Sequence, residues 1–293
     1  MVDPPEFPEP VLVPSSGGVT VAAYDLGGTG PDVVLVHATG FCAAVWAPMA
    51  ASMPGCRVVA LDVRGHGRST VPERGMEWSG TADDVLAVVA HFGLDRPVGL
   101  GHSMGGAALL LAEQARPGTF AGLWVFEPIV MPEWYVHRGG GDGSNPLAEG
   151  ARRRRASFAS AEEAFANFAS KPPLRLLAPE ALAAYVTYGF DLQRDGSVTL
   201  RCRPEVEAAN YEMGARHDGF AHLGEVACPV AVLRGNDEVP GPAGFAEDVA
   251  DALPAGVLEV HDELFHFGPL EAPADMAASA LLLVRSVVGP AED

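Results

Sequence analysis

The sequence predicts an α/β protein built on a mostly parallel sheet, and three observations carry that expectation. Apolar runs of strand length recur along the chain: PDVVLVHATG (31–40), CRVVALDVRG (56–65), RPVGLGHS (96–103), FAGLWVFEPIV (120–130) and CPVAVLRGNDE (228–238). Their cores are continuous rather than alternating, which suits strands buried on both faces of a sheet. Between most of them lie stretches with apolar residues at helical spacing, and strand–helix alternation of this kind gives parallel strands joined by crossover helices.

Each element follows in turn. Residues 11–26 form a hairpin pattern, VLVP, then SSGG, then VTVAAYDL. AAVWAPMAASM (43–53) allows a crossover helix. TADDVLAVVAHFGL (81–94) predicts a helix with Thr81 as its cap and acids in the first turn. MGGAALLLAEQARP opens another helix directly after Ser103. Beyond FAGLWVFEPIV the alternation stops. The loop GGGDGSNP (139–146) and alanine-rich helical segments such as ASAEEAFANFAS and PEALAAYVTYGF follow, with no strand-grade run before residue 228. GFAEDVADALP, GVLEVHDELFHFG and PADMAASALLLVRSVV then resume the pattern as helix, strand and helix. The expected organisation is a body of residues 1–131 and 225–293 with a helical lid, 132–224, inserted after the sixth strand.

Composition narrows the function classes. The 293 residues are 48% hydrophobic and 19% charged, with a net charge of −19. Such a chain is globular, and its charge disfavours nucleic-acid backbones and anionic membranes as partners. No stretch reaches the roughly 18–20 apolar residues of a membrane span. The acidic, proline-rich start MVDPPEFPEP lacks the features of a signal peptide. Cys42, Cys56, Cys202 and Cys228 are scattered, which argues against a zinc site and for a reduced, cytoplasmic protein. The one basic run, Arg152–Arg155, reads as a solvated helix face, with an anion-steering patch as the alternative.

In a parallel sheet, ligand chemistry gathers at the carboxyl ends of the strands. There the sequence puts His37–Phe41, Asp62–Arg64, Ser103, Glu127, Asp237–Glu238 and His266. Gly101-His-Ser-Met-Gly105 fits G-x-S-x-G between a strand and a helix, a sharp turn that lifts Ser103 to the head of the helix as a nucleophile. A serine hydroxyl needs a base, and His266, in the loop after the last strand, faces the same edge. His37, His66 and His102 flank turns and read as orienting backbone; His217 and His222 fall on the surface of the insert. The imidazolium needs a carboxylate. Glu238 is the leading candidate, with Glu127 and then Asp237 as alternatives. Two amides must receive the oxyanion: that of Met104, and one from the loop after the 31–38 strand, where Thr39 leads and Phe41 stands behind it. Asp62, in a glycine-rich turn, reads as structural.

With those blocks in order, VLVHATGF, ALDVRGHGRS, GLGHSMGG, LWVFEP, CPVAVLRGNDE and FHFGPLEAP, the chain resembles the α/β-hydrolase fold superfamily over residues 17–130 and 225–288. The likeness is to its lid-bearing branch, near small esterases, cofactor-free haloperoxidases and carbon–carbon bond hydrolases. It implies an eight-stranded sheet flanked by helices, Ser103 as nucleophile, His266 as histidine, and Thr39 and Met104 as oxyanion amides. Two positions depart from the pattern. His37-Ala38 stands where His-Gly is usual, and Glu238 stands where an aspartate is usual, while some relatives carry the acid at the position of Glu127. Relatives that open epoxides or remove halide use aspartate at the elbow, so Ser103 points elsewhere. The expected activity is cleavage of a small or medium apolar carboxylic ester through an acyl-enzyme. A biosynthetic acyltransferase, thioesterase or cyclase, a carbon–carbon bond hydrolase, or a catalytically silent binding relative are the alternatives. Phe41, Trp134, Phe165, Phe168 and Tyr185 are candidate pocket residues for a small-molecule substrate, and no metal or organic cofactor is implied.

Overall fold

A computed structural model describes residues 2–138, 145–214, 216–238 and 240–289. The body begins with strands β1 (Val11–Pro14), β2 (Thr20–Asp25) and β3 (Asp32–Val36), then helix α1 (Ala47–Ala51), strand β4 (Arg57–Leu61) and helix α2 (Trp78–His91). Strand β5 (Val98–His102), helix α3 (Met104–Ala115) and strand β6 (Gly122–Phe126) complete its first part. The insert holds α4 (Glu133–Arg138), α5 (Pro146–Arg152), β7 (Ser157–Phe158), α6 (Ala161–Ala169), α7 (Pro179–Tyr188), β8 (Phe190–Leu192), β9 (Val198–Leu200) and α8 (Pro204–Met213). The body resumes with β10 (Val230–Arg234), α9 (Ala246–Ala252), β11 (Gly256–Val260), α10 (Gly268–Glu271) and α11 (Pro273–Val288).

Eight strands make one sheet in the order β1-β2-β4-β3-β5-β6-β10-β11. The first two pairings are antiparallel and the rest parallel. Strand sequences read as unbroken apolar runs because successive side chains serve opposite faces. Val33, Leu35, Leu100, Trp124 and Phe126 join a core with α11, the 43–46 turn and the insert. Val34, Val36, Leu123, Val125 and Val232 join a second core with α2, α3 and α9. Burying a side chain of this size stabilises by about 1.5–3 kcal/mol, so the central strands anchor everything placed at their ends.

Three local expectations change. Helix α2 starts at Trp78 rather than Thr81. Trp78 is buried and donates Nε1–H to the Met213 carbonyl at 2.7 Å, which draws the earlier residues into the helix. Thr81 then lies within the first turn, its hydroxyl donating back to the Trp78 carbonyl at 2.7 Å instead of capping. The insert, expected to be helical, also carries a small antiparallel sheet in the order β7-β9-β8. Its β8–β9 turn closes on Asp195, whose Oδ1 accepts from the Ser197 amide at 3.0 Å and hydroxyl at 2.7 Å, with Gly196 at φ 86°. Strands of two or three residues leave no periodicity to read. The loop 139–146 falls mostly outside the described residues.

The basic run resolves into paired charges. Arg152 meets Glu212, Arg153 meets Glu149 at 3.6 Å, Arg154 meets Glu207 at 2.8 Å and Arg155 meets Glu163 at 2.8 Å. Arg154 is mostly buried and also donates to the Tyr185 hydroxyl. The four cations are thus balanced within the insert, which removes the basis for an anion-steering patch.

Candidate active site

Ser103 sits between β5 and α3 at φ 55°, ψ −113°. A non-glycine residue with positive φ costs on the order of 1–3 kcal/mol and persists only where its surroundings fix it. Here the Ser103 amide donates to the Phe126 carbonyl at 2.9 Å, and its carbonyl accepts from Ala107 at 3.1 Å and Ile129 at 3.2 Å. The flanking glycines are required by contact. A Cβ at Gly105 would stand 2.0 Å from the Val36 carbonyl oxygen, and one at Gly101 2.6 Å from the Gly106 nitrogen. Their absence lets α3 begin directly against the ends of β3 and β5.

Glu127 ends the neighbouring strand β6 and shares the strained geometry, with φ 46°. Its carboxylate is 1% exposed. Oε1 accepts from the Gly235 amide at 2.9 Å, and Oε2 lies 2.6 Å from His266 Nδ1. A ring that donates Nδ1–H to a carboxylate keeps a lone pair on Nε2. The loop bearing His266 leaves β11 at the sheet's edge and runs back over β10. The Asn236 amide donates to Leu264 O at 2.7 Å, and His102 Nε2–H donates to the His266 carbonyl at 2.7 Å. Burial holds the His102 imidazole well below the usual histidine range, so it is a neutral donor. Ser103, at 6% exposure, follows His102 directly, so the serine, the histidine and the carboxylate share one stretch of the sheet edge.

The acid that the structure brings to His266 is therefore Glu127, not Glu238, the leading expectation from sequence. Glu238 and Asp237 are exposed. The Glu238 amide closes a turn on Asn236 Oδ1 at 2.8 Å, and Asp237 faces Arg234 at 3.7 Å. The physical reason is strand order: β6 lies next to β5, whereas β10 is one strand further out and its loop turns to solvent after offering Gly235 N–H to Glu127.

The loop after β3 is held by two buried histidines. His37 Nδ1–H donates to the Ala38 carbonyl at 2.8 Å, and its Nε2 accepts from the Val63 amide at 3.1 Å. His66 Nε2 accepts from the Gly40 amide at 3.0 Å, and its Nδ1–H donates to Arg64 O at 3.1 Å. Burial pushes both rings down to about 4, with His37 also lowering His66, so each is neutral with its tautomer set by its partners. The Gly40 amide is thereby engaged, and that of Phe41 donates to Ala38 O at 3.2 Å. Among the described residues, the amides of Thr39 and Met104 have no acceptor, and the Thr39 hydroxyl touches Met104 Sδ at 3.4 Å. Met104 opens α3, where the first amides have no partner within the helix and the dipole favours negative charge.

Asp62 is structural, as its turn suggested: it accepts from Tyr24 OH at 2.8 Å, Ala43 N at 2.7 Å and Arg68 N at 2.8 Å. Of the candidate pocket residues, Phe41 reaches the site, its ring 5.5 Å from Phe267 and 5.0 Å from Tyr185. Phe168 lies behind Tyr185 at 5.8 Å. Phe165 lines a separate cavity with Leu177 and Leu182, and Trp134 packs on Tyr135 at 5.7 Å. His217, expected on the surface, is half-buried and hydrogen-bonded to the Ile129 carbonyl at 2.8 Å, and His222 is exposed between Asp218 and Glu225. Glu271, a residue that no sequence pattern singled out, accepts from the amides of Phe265 at 3.1 Å and Phe267 at 3.2 Å. Among the described residues, no group of three or more histidine, cysteine, aspartate or glutamate side chains could hold a metal ion, and no helix is long and apolar enough to cross a membrane.

A serine on a strained strand–helix turn, at the sheet edge that also carries a histidine bound to a buried carboxylate, is compatible with hydrolase chemistry. Comparison with known proteins gives the family: residues 33–279 match the model of the alpha/beta hydrolase family, and the chain belongs to it. The pimeloyl-[acyl-carrier protein] methyl ester esterase of Aromatoleum aromaticum is 27% identical over 265 residues, covering 88% of this chain and 98% of that protein. Protein phosphatase methylesterase 1 of Mus musculus is 42% identical over 99 residues, which are 31% of this chain and 26% of the methylesterase. This chain therefore spans only about a quarter of that relative's length. The structure of a thermophilic esterase from Thermogutta terrifontis superposes with a TM-score of 0.71 at 24% identity, covering 96% of this chain and 100% of that one.

Proposed function

We propose that this chain is a serine esterase that cleaves small or medium apolar carboxylic esters through an acyl-enzyme. In this reading Ser103 Oγ attacks the ester carbonyl while His266 Nε2 takes its proton. Glu127 holds the imidazole in the required tautomer and stabilises its cationic form. The amides of Thr39 and Met104 receive the oxyanion, and collapse of the tetrahedral intermediate expels the alcohol, protonated by His266. Water, deprotonated by His266, then releases the acid. The insert, acting as a lid over this edge, contributes Tyr185 behind Phe41.

The observation that carries the reading is the 2.6 Å contact of His266 Nδ1 with buried Glu127, at the sheet edge where Ser103 is held at φ 55°. Membership of the alpha/beta hydrolase family supports it, as do relatives named esterases. Two of those are named for methyl esters, so methyl and nitrophenyl esters of short acids are the first substrates to try. A fluorophosphonate probe labels Ser103 in the wild-type protein, and Ser103→Ala loses both labelling and turnover. Wild-type protein that hydrolyses esters while resisting the probe, or an active Ser103→Ala variant, overturns the assignment.

A further inference from the structure

We propose that Glu271 is a positioning residue for His266, acting by holding the backbone on both sides of the imidazole. The inference rests on the reading of Ser103 and His266 as nucleophile and base. One carboxylate oxygen accepts from the Phe265 amide at 3.1 Å and the other from the Phe267 amide at 3.2 Å, so a single side chain spans the histidine. No other backbone acceptor serves those two amides among the described residues. The remaining anchors act elsewhere: His102 on the His266 carbonyl at 2.7 Å, and Glu127 on the ring at 2.6 Å. Removing Glu271 frees the peptide planes that aim the ring while leaving its carboxylate partner in place.

The position is an unfavourable one for an acid. Burial, with the nearby charge of Glu127, pushes the Glu271 carboxyl up from its ordinary range, opposed by the two amides and by His266. Capping is the plainer role, since Phe267 is the N-cap of α10 and its amide needs an acceptor. A cap alone, however, does not require the second oxygen to reach the amide that precedes the histidine. Charge-assisted bonds at both ends fix the direction of the loop as well as its start.

The two roles separate kinetically, because misplacing a base slows chemistry without loosening substrate binding. With a nitrophenyl ester, Glu271→Gln, which keeps one acceptor, lowers kcat by about tenfold, and Glu271→Ala lowers it by about a hundredfold. KM stays within about twofold, and the rate of fluorophosphonate labelling falls in step with kcat. Glu263→Gln, in an exposed acid of the same loop, leaves kcat unchanged. The near-isosteric glutamine decides the matter if the alanine variant does not fold. Glu271→Gln with wild-type kcat and labelling rate, whatever its Tm, overturns the proposal. Failure of the wild-type protein to label at Ser103 would instead remove the reading beneath it.

Discussion

Of the strand ends on this edge, those of β6 and β10 both offer a carboxylate as a candidate partner of His266, and they differ in everything except chemistry. At the end of β6, Glu127 is buried, strained and bonded through both oxygens. At the end of β10, Asp237 and Glu238 stand in solvent, and the loop's most useful group is a backbone amide, Gly235 N–H, spent on Glu127. An acid orients a histidine only when it is itself held and dry, because solvent screens its charge and competes for its lone pairs. Here the outer strand supplies the support and the inner strand supplies the acid.

Exchanging the roles by mutation gives the largest expected effect. Glu127→Gln cannot accept at both ends, so its NH₂ faces either Gly235 N–H or His266 Nδ1. Facing His266, it donates to Nδ1 and imposes the wrong tautomer; facing Gly235, it leaves that amide without an acceptor. In both cases the imidazolium loses its counter-charge, and kcat falls about 10³–10⁴-fold, equivalent to about 4–5.5 kcal/mol of barrier. Glu238→Gln stays within about twofold of wild type, since its side chain is free of the site. Steady-state kinetics of the two variants break the comparison if Glu238→Gln is the one that fails. Gly235→Ala tests the support itself. Its Cβ would stand 2.6 Å from the Leu264 carbonyl oxygen and 2.9 Å from that of Phe265, so the backbone must move. The displaced N–H releases Glu127, with a loss of about 10–100-fold in kcat and about 1–3 kcal/mol of stability by urea unfolding.

The same contrast explains what the sequence could and could not say. The Ser103 turn is legible because its requirement is local: Gly101 and Gly105 lie two residues on either side of the serine they serve. Central strands are legible because burial on both faces writes an unbroken apolar run. The partnership of Glu127 and His266 joins residues far apart in sequence and depends on β6 lying between β5 and β10, which no local pattern states. A hint was present in Phe126-Glu-Pro128, where the acid ends an apolar run without a polar spacer, as Ser103 ends its own. In the insert, Arg154 reaches Glu207 across 53 positions, so a run that looks solvent-facing in sequence contains a buried ion pair.

Support by buried neutral groups also predicts a pH dependence. His37 and His66 are held near 4 in the folded chain, whereas an unfolded histidine titrates near its ordinary 6.5. Below that value the unfolded state binds more protons than the folded one, so stability is full above about 6.5 and is lost as pH falls toward 4. Between pH 6.5 and 5.5 the two rings together cost roughly 2 kcal/mol. Urea unfolding at these two pH values measures the difference, and His66→Gln, which keeps an acceptor for Gly40, reduces the slope. A slope unchanged in that variant would mean that the edge is supported by other groups.

The smallest effect belongs to Asp237, the remaining acid of the outer strand. Its side chain is 54% exposed and 3.7 Å from Arg234. Arg234 keeps two better partners without it, the Gly235 carbonyl at 2.8 Å and Asp262 at 3.2 Å. Losing an exposed ion pair of this length changes stability by less than about 0.5 kcal/mol. Because Arg234 stays in place, the Gly235 peptide and hence Glu127 keep their positions. Asp237→Asn therefore leaves kcat within about twofold and Tm nearly unchanged. If its kcat fell with that of Glu127→Gln, the charge of the outer loop would reach the histidine through solvent, and the division between a supporting strand and an acid-bearing strand would fail.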